Sequence, residues 1–484
     1  MSVRRGLVLS SIERYGVLAM GLATTFVTAR LLTPADFGVA IVGLAIFGII
    51  DIFKEFGGVT YIVQVDDATP RRVQTVFTFT LLLALPLFLI LFLLSGPIAS
   101  FYGVPGLKQY LHVSAWCLLL SSFSSPVYGL LSRNMQFGKL TVLSLTTTIL
   151  NSLLTITLVL KGFSYMSFAW AQLISSVVYF GFCVAWGPKF PIYRIELTEW
   201  RRVFGYGIFD SSRGILNHLG DSLPFLAFGK TLGIEALGIY QRALTVSRLP
   251  ERTALAGLFP VLQPAFSKHA REGQNLGQSF LMSVEYVTAI LWPALVCIAL
   301  LAKPLVAILL GSQWTQTVPL VQIIAISLIV LFPINLARPV LVAVGAVRDT
   351  ALIAVLTVPI VVTIQIAASI YGLEAVAWSS FLTNAYAAAV SIYFVRWRTK
   401  FTWPGFFRSM RKSAIVTAIS SLPAIAAVMI VGSPDLLTIP EGLVAAVLAA
   451  GVWLIAIHWT GHPMKTEIAR IISHLTRRTR GSEI

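Results

Sequence analysis

The sequence predicts an all-α membrane protein of 14 transmembrane helices, arranged as two six-helix lobes related by a pseudo-two-fold axis along the membrane normal, plus two C-terminal helices. Three observations predict it. Fourteen apolar stretches of about 20 residues are each long enough to cross a bilayer. Lys and Arg are placed unevenly between those stretches. The chain also repeats itself at an offset of about 200 residues. Composition agrees, with 57% of residues hydrophobic and 12% charged, against about 25% charged in soluble domains.

The first apolar run, 9–31, follows the basic start Met1–Arg5 as a signal peptide would. It continues without a small-residue cleavage site, so it reads as a retained helix. Spans 38–62, 75–95, 110–131, 140–160 and 165–186 complete the first set of six. Spans 203–229, 234–260, 280–302, 317–342, 351–371 and 374–395 form the second set, and 413–431 and 442–459 end the series. Every interval between runs is under about 20 residues, which leaves no room for a soluble catalytic domain, and the protein is not expected to be an enzyme.

Of the 36 Lys and Arg residues, 24 lie in segments on the N-terminal side, 5 in the opposite loops or at their edge (Arg30, at the end of the first span, with Lys108, Lys161, Lys230 and Lys303) and the other 7 within spans. Positive charge marks the cytoplasmic side, so both termini are expected there. The net charge of +16 is thereby assigned to topology and not to a nucleic acid partner. Span 8 carries Glu235, Arg242, Arg248, Glu251 and Arg252 and is polar enough to be missed. If it did not cross, every later basic loop would change sides. The basic tail Lys465–Arg480 has Ile468, Ile471, Ile472 and Leu475 at helical spacing and is expected to lie along the inner leaflet. Cys117, Cys183 and Cys297 each sit inside an apolar run with no CxxC and no Cys/His cluster, so no disulfide, metal site or cofactor is expected.

The repeat aligns residues 30–39 with 230–239, pairing Arg30 with Lys230, Leu32 with Leu232, and Gly38-Val39 with Gly238-Ile239. Ala169-Trp170 answers Ala377-Trp378, each after a loop glycine, Gly162 or Gly372. The expected division is 1–190 for the N-lobe, 191–396 for the C-lobe, and 397–484 for helices 13 and 14 with the basic tail. Six is even, so the repeats are parallel, and a substrate site is expected between them.

Polar stripes mark that site. At 100° per residue, Tyr206, Asp210, Arg213, Asn217 and Asp221 fall within about 80° of one another on span 7. Gln241, Thr245, Arg248 and Arg252 lie within roughly 60° on span 8, flanked by Arg242 and Glu251. Arg14, Gly21, Thr25 and Thr28 share a face of span 1, and Asp51, Lys54, Glu55 and Gly58 share a face of span 2. Each charge costs roughly 2.5–3.5 kcal/mol near a helix centre, so about 15 facing lipid would exceed a net stability of about 5–15 kcal/mol. Most must face water or each other. The arginines of span 8 outnumber its acids and leave positive charge for an anion. The candidate substrate-binding residues are therefore Arg14, Lys54, Arg213, Asn217, Gln241, Arg242, Arg248 and Arg252. Asp51, Glu55, Asp210 and Asp221 are candidate coupling carboxylates. Pairs such as Asp51/Lys54 and Asp210/Arg213, at i,i+3, could equally neutralise one another as internal glue. Glu285, Arg338 and His218 read as locally paired or hydrogen-bonded groups.

The motif Ala29-Arg30-Leu31-Leu32-Thr33-Pro34-Ala35-Asp36-Phe37-Gly38, the segment Gly229–Gly233 continuing through Gly238–Ala243, and the 6 + 6 + 2 layout resemble the polysaccharide transporter (Wzx-type) family of the MOP flippase superfamily, which also holds MurJ-like and MATE-like proteins. The resemblance spans the whole chain. It implies a multi-pass protein of the bacterial inner membrane that exports undecaprenyl-pyrophosphate-linked oligosaccharide by alternating access, for exopolysaccharide, capsule or O-antigen synthesis. A cationic cavity would hold the head group, and polysaccharide polymerase and export machinery would be partners. MurJ-like proteins concentrate arginines in the first lobe as well; here that lobe offers only Arg14 and Lys54, both beside acids. The other readings are a lipid II flippase and a MATE-like cation-coupled multidrug antiporter, which the span 8 arginines oppose because they would repel a cationic drug.

Overall fold

The computed structural model describes residues 3–54, 58–65, 67–188 and 190–467, without the side chains of 3–12, 206–213, 255–261 and 263. Glu55 and the tail beyond Glu467 lie outside the described residues, as do the side chains of Asp210 and Arg213. Among the described residues there are helices and turns and no strand. Ten helical segments are long and apolar enough to cross a membrane. Buried backbone groups in lipid must be satisfied internally, and helices do this.

The first compact unit comprises residues 1–241 and 358–376. Its helices are α1 (Val3–Leu31), α2 (Pro34–Lys54), α3 (Gly58–Gln64), α4 (Pro70–Tyr102), α5 (Gly106–Arg133), α6 (Phe137–Leu160), α7 (Met166–Trp186) and α8 (Trp200–Thr231), followed by the start of α9 (Ile234–Ser247). The expected second span, 38–62, is interrupted: α2 stops at Lys54 and α3 is a separate short helix. Arg133 at the end of α5 donates to the carbonyls of Ile62, at 3.0 Å, and Val65, where the α3 segment ends. A cation at a helix C-terminus satisfies orphan carbonyls and complements the dipole.

The motif at the start of α2 has a local cause. Thr33 Oγ1 donates to Asp36 Oδ2 at 2.8 Å and accepts from the Asp36 backbone N–H at 3.2 Å, while Thr33 N–H donates to Asp36 Oδ2 at 3.1 Å. This is a capping box with Pro34 at the first helical position. Gly38 and Gly238 then let α2 and α9 touch backbone to backbone. A Cβ on Gly38 would lie 1.9 Å from the Ile234 carbonyl oxygen, and one on Gly238 would lie 2.0 Å from that of Pro34. The contact is reciprocal at the repeat offset.

The segment Lys189–Arg202 reads in sequence as a basic inner connection. In the structure, residues 190–199 form a strap over the core of Val73, Val76, Phe77, Val127, Leu143 and Cys183. Ile192 is buried, and the Tyr193 ring packs 5.3 Å from Phe77 and 5.7 Å from Phe123. Gln74 Nε2 donates to the Pro191 carbonyl at 2.6 Å, Thr78 Oγ1 accepts from Glu196 N–H at 2.9 Å, and Arg72 Nε pairs with Glu199 at 3.0 Å. Hydrogen bonds from Thr198 pull the Glu196 carboxyl below its usual range.

The second unit comprises 242–357 and 377–484. It contains the rest of α9, α10 (Leu249–Arg271), α11 (Leu276–Leu300), α12 (Ala302–Leu309), α13 (Val318–Ser327), α14 (Phe332–Ala343), α15 (Val347–Ser369) up to Thr357, α16 (Leu373–Thr399) from Ala377, α17 (Trp403–Val431) and α18 (Ile439–Trp459). The expected single span 317–342 is broken by a 3₁₀ turn, Leu328–Val330. Pro333 has no N–H and crowds the carbonyl four residues back. That carbonyl, on Ile329, accepts from Trp292 Nε1 at 2.9 Å instead. The expected span 234–260 likewise breaks at Arg248, two residues before Pro250, into α9 and α10.

Small residues and hydroxyls tie this unit together, as they do where lipid removes the hydrophobic drive between helices. Thr288 Oγ1 donates to Ser413 Oγ at 2.9 Å, Ser413 Oγ to the Glu285 carbonyl at 3.1 Å, and Trp453 Nε1 to the Ala289 carbonyl at 2.8 Å. Asp349 is buried and takes two bonds from Arg398, at 2.6 and 3.0 Å.

His462, just past α18, is buried with Nδ1 accepting from Met464 N–H at 3.2 Å. Burial, aided by the Lys412 ammonium, pushes its ring down to about 4. The Glu285 carboxyl lies 3.9 Å from Nε2, beyond the reach of a strong compensating bond. The folded ring stays neutral where the unfolded one, near 6.5, takes a proton. Stability is therefore expected to fall as pH drops from about 6.5 towards 4, by about 2 kcal/mol at pH 5. Thermal unfolding of detergent-purified protein at pH 7 and pH 5 checks this, and His462→Gln should flatten the difference.

Candidate functional site

Three guanidinium groups, those of Arg242, Arg248 and Arg252, stand about the kink between α9 and α10. Arg242 is buried, Arg248 half-buried and Arg252 exposed. The kink explains their placement. Arg248 has φ −88° and ψ 4°, its N–H still reaches the Leu244 carbonyl at 3.1 Å, and its carbonyl accepts from Arg252 N–H at 3.0 Å. Arg248 and Arg252 thus stay one turn apart on a common face. The acids of the same stretch are Glu235, at the start of α9, and Glu251, whose Oε1 already accepts from Asn335 Nδ2 at 3.0 Å. The Nε of Arg248 is buried without a hydrogen-bond partner among the described residues. Positive charge exceeds negative here, with a donor unused, which is the chemistry of an anion site.

The other sequence candidates fall elsewhere. Lys54 is buried, its ammonium 2.6 Å from Asp51 Oδ1 and hydrogen-bonded to Ser121 Oγ. Arg14 is exposed, as are Asn217 and Asp221 on α8, and Gln241 on α9 is half-buried. Removing one partner of a buried pair leaves an uncompensated charge and costs about 3–5 kcal/mol. Asp51→Ala should therefore lower the thermal midpoint of the purified protein sharply, and Asp51→Leu with Lys54→Met should restore it. Export by that stable double variant then reads out whether Asp51 has any role beyond the pair.

One feature was not anticipated. A cavity of about 730 Å³ lies inside the first unit among α3, α5, α6 and α7. Ser121, Ser124, Ser125 and Tyr128 face it from α5, Thr147, Thr148 and Asn151 from α6, and Gln172, Ser175, Ser176 and Tyr179 from α7. The i, i+3, i+4 spacing of these polar residues within apolar runs was the available signal.

The family model described as "Polysaccharide biosynthesis protein" matches residues 27–319, more than half of the chain. The chain belongs to this family. Within the reach of the match lie both copies of the repeat motif and all three arginines of α9–α10. A similar relative is the succinoglycan biosynthesis transport protein ExoT of Rhizobium meliloti, 26% identical over 71% of this chain and 70% of its own length. Among solved structures, the lipid II flippase MurJ in an inward closed conformation superposes with a TM-score of 0.73 at 14% identity, covering 93% of this chain and 98% of that one. An inward-facing MATE family transporter of the MOP superfamily gives 0.58 at 16% identity, covering 83% and 95%. These likenesses establish the fold of this family member as the one MurJ and the MATE transporter share.

Proposed function

We infer that this protein is a flippase for lipid-linked oligosaccharide. It carries units bound to undecaprenyl pyrophosphate from the inner to the outer leaflet of the bacterial inner membrane by alternating access, for exopolysaccharide, capsule or O-antigen synthesis. The observation that carries the reading is the surplus of guanidinium over carboxylate on α9–α10, where Glu251 is engaged by Asn335. A diphosphate offers only acceptors and negative charge, which arginine matches with paired donors. Membership of the polysaccharide biosynthesis family and the flippase fold support it.

In this reading the chain crosses the membrane 14 times with both termini cytoplasmic, as the distribution of Lys and Arg favours. Four of the expected spans are not among the ten apolar segments. Of these, 9–31, 203–229 and 374–395 correspond to long continuous helices, α1, α8 and α16, whereas 234–260 is the kinked α9–α10 pair. The N-lobe is 1–190, the C-lobe 191–396, and 397–484 adds helices 13 and 14 with the tail. Arg14, Lys54, Arg213, Asn217 and Gln241 join the three arginines in lining the transport path, and Asp51, Glu55, Asp210 and Asp221 are where a coupling ion would bind. A polymerase and export machinery take the product onward.

Moving a net negative head group outward is favoured by about 2.3 kcal/mol per charge per 100 mV. The membrane potential alone can therefore drive the step. The reading is tested by the lipid fraction of a deletion strain. It predicts accumulation of an undecaprenyl-diphosphate-linked oligosaccharide in the inner leaflet and loss of surface glycan. Unchanged surface glycan with altered drug tolerance would transfer the protein to the antiporter class.

A further inference from the structure

The cavity of the first unit has a chemistry opposite to that of the α9–α10 arginines. The hydroxyls of Ser124, Thr147 and Ser176 donate to carbonyls of their own helices at 3.1, 2.7 and 2.8 Å. Each therefore turns acceptor lone pairs towards the cavity. The cation beside it, Lys54, is committed to Asp51 and Ser121. None of the described residues that line it is charged, so the space lacks the cation that a phosphate would pair with and suits a neutral ligand rich in hydroxyls.

Unmet hydrogen-bonding capacity points the same way. Ser175 Oγ is buried at the cavity wall with no partner among the described residues. A buried polar group without a partner is costly unless water or a ligand supplies one. The side-chain amides of Asn151 and Gln172, on facing helices, add donors and acceptors to the same space. Tyr128 and Tyr179 contribute flat aromatic faces with a polar edge. At about 730 Å³, the space falls within the range of about 300–1,000 Å³ of small-molecule sites. It is far larger than a dehydrated cation requires.

We propose that this cavity receives the neutral sugar rings of the lipid-linked oligosaccharide, and that Asn151, Gln172 and Ser175 help to select the glycan. The proposal rests on the flippase reading and assigns the sugars a compartment apart from the phosphate-binding arginines.

The test uses the full-length protein in cells that lack the glycan polymerase, fed radiophosphate and a tritiated monosaccharide that the strain's own surface glycan incorporates, with the photo-crosslinker p-benzoylphenylalanine in place of Thr148. Illumination should give an adduct that keeps tritium but loses radiophosphate after mild acid, which cuts the bond between sugar and diphosphate. No adduct, or one that loses its tritium, overturns the proposal. The same crosslinker in place of Thr253, beside Arg252, separates the two readings. An adduct at 253 with none at 148 removes the sugar compartment and leaves the flippase standing. Independently, Asn151→Leu and Gln172→Leu should each lower export about 3- to 10-fold at normal membrane levels. Wild-type export in both would also overturn it.

Discussion

Gly38→Ala and Gly238→Ala are each expected to destabilise the protein severely and to abolish export. Helix propensity alone argues the reverse, since alanine is better than glycine in a helix by about 1 kcal/mol. The crossing of α2 and α9 decides the sign. A Cβ at Gly38 would sit 1.9 Å from the Ile234 carbonyl oxygen, and one at Gly238 2.0 Å from that of Pro34, whereas ordinary contact begins at 3.4 Å. The obstacle is backbone, which cannot rotate aside as a side chain does, so the helices must separate by more than an ångström. Overpacking a core typically costs about 1–3 kcal/mol, and this contact lies at or above the upper end. Gly48→Ala, on the same helix with nothing within 4 Å of the added Cβ, is the control and should hold or raise the thermal midpoint. Unfolding of the three detergent-purified variants measures the effect.

Arg248→Ala and Arg252→Ala are expected to remove export by roughly 10- to 100-fold each while leaving the protein inserted. Hydrogen bonds to a charged group contribute about 1.5–3 kcal/mol, and each arginine can make two to one phosphate. Arg252 is exposed, and Arg248 is half-buried with an Nε that has no partner among the described residues, so truncation of either breaks no hydrogen bond of that atom and no buried ion pair among those residues. Arg248→Lys keeps the charge but not the planar fork, so partial export is expected. Surface glycan and membrane levels of each variant, measured together, give the result. Wild-type export in both alanine variants would remove these residues from the site.

Much of this architecture was legible because its signals are local and periodic. The runs behind α4 to α7 are uninterrupted. The start of α2 at Pro34, four residues before the expected span, is set by the Thr33 and Asp36 cap, which the hydrophobic pattern does not register. The equivalence of Gly38 and Gly238 was readable, but its meaning was not. Nothing in a sequence says that two glycines 200 positions apart face each other's backbone. The break before Pro333 depends on Trp292 taking over the Ile329 carbonyl, a partner from another helix. The strap 190–199 reads as part of a basic connection because Tyr193 and Ile192 are too few to make a pattern, yet they close a core. The arginines of α9–α10 stood out because charge is rare in apolar runs. The cavity did not, because Ser121, Thr147 and Ser176 are hydroxyls that any membrane helix tolerates, and only their convergence makes a compartment.

The central claim is that the guanidinium groups of α9–α10 recognise a diphosphate on a prenyl lipid. Binding of a short-chain prenyl diphosphate and of the matching prenyl alcohol to the purified protein in nanodiscs, for the wild type and for the Arg248→Ala, Arg252→Ala double variant, tests it most directly. The account predicts that the wild type binds the diphosphate at least tenfold more tightly than the alcohol, and that the double variant loses this preference. Equal affinity of the wild type for both lipids, or an undiminished preference in the double variant, would contradict it.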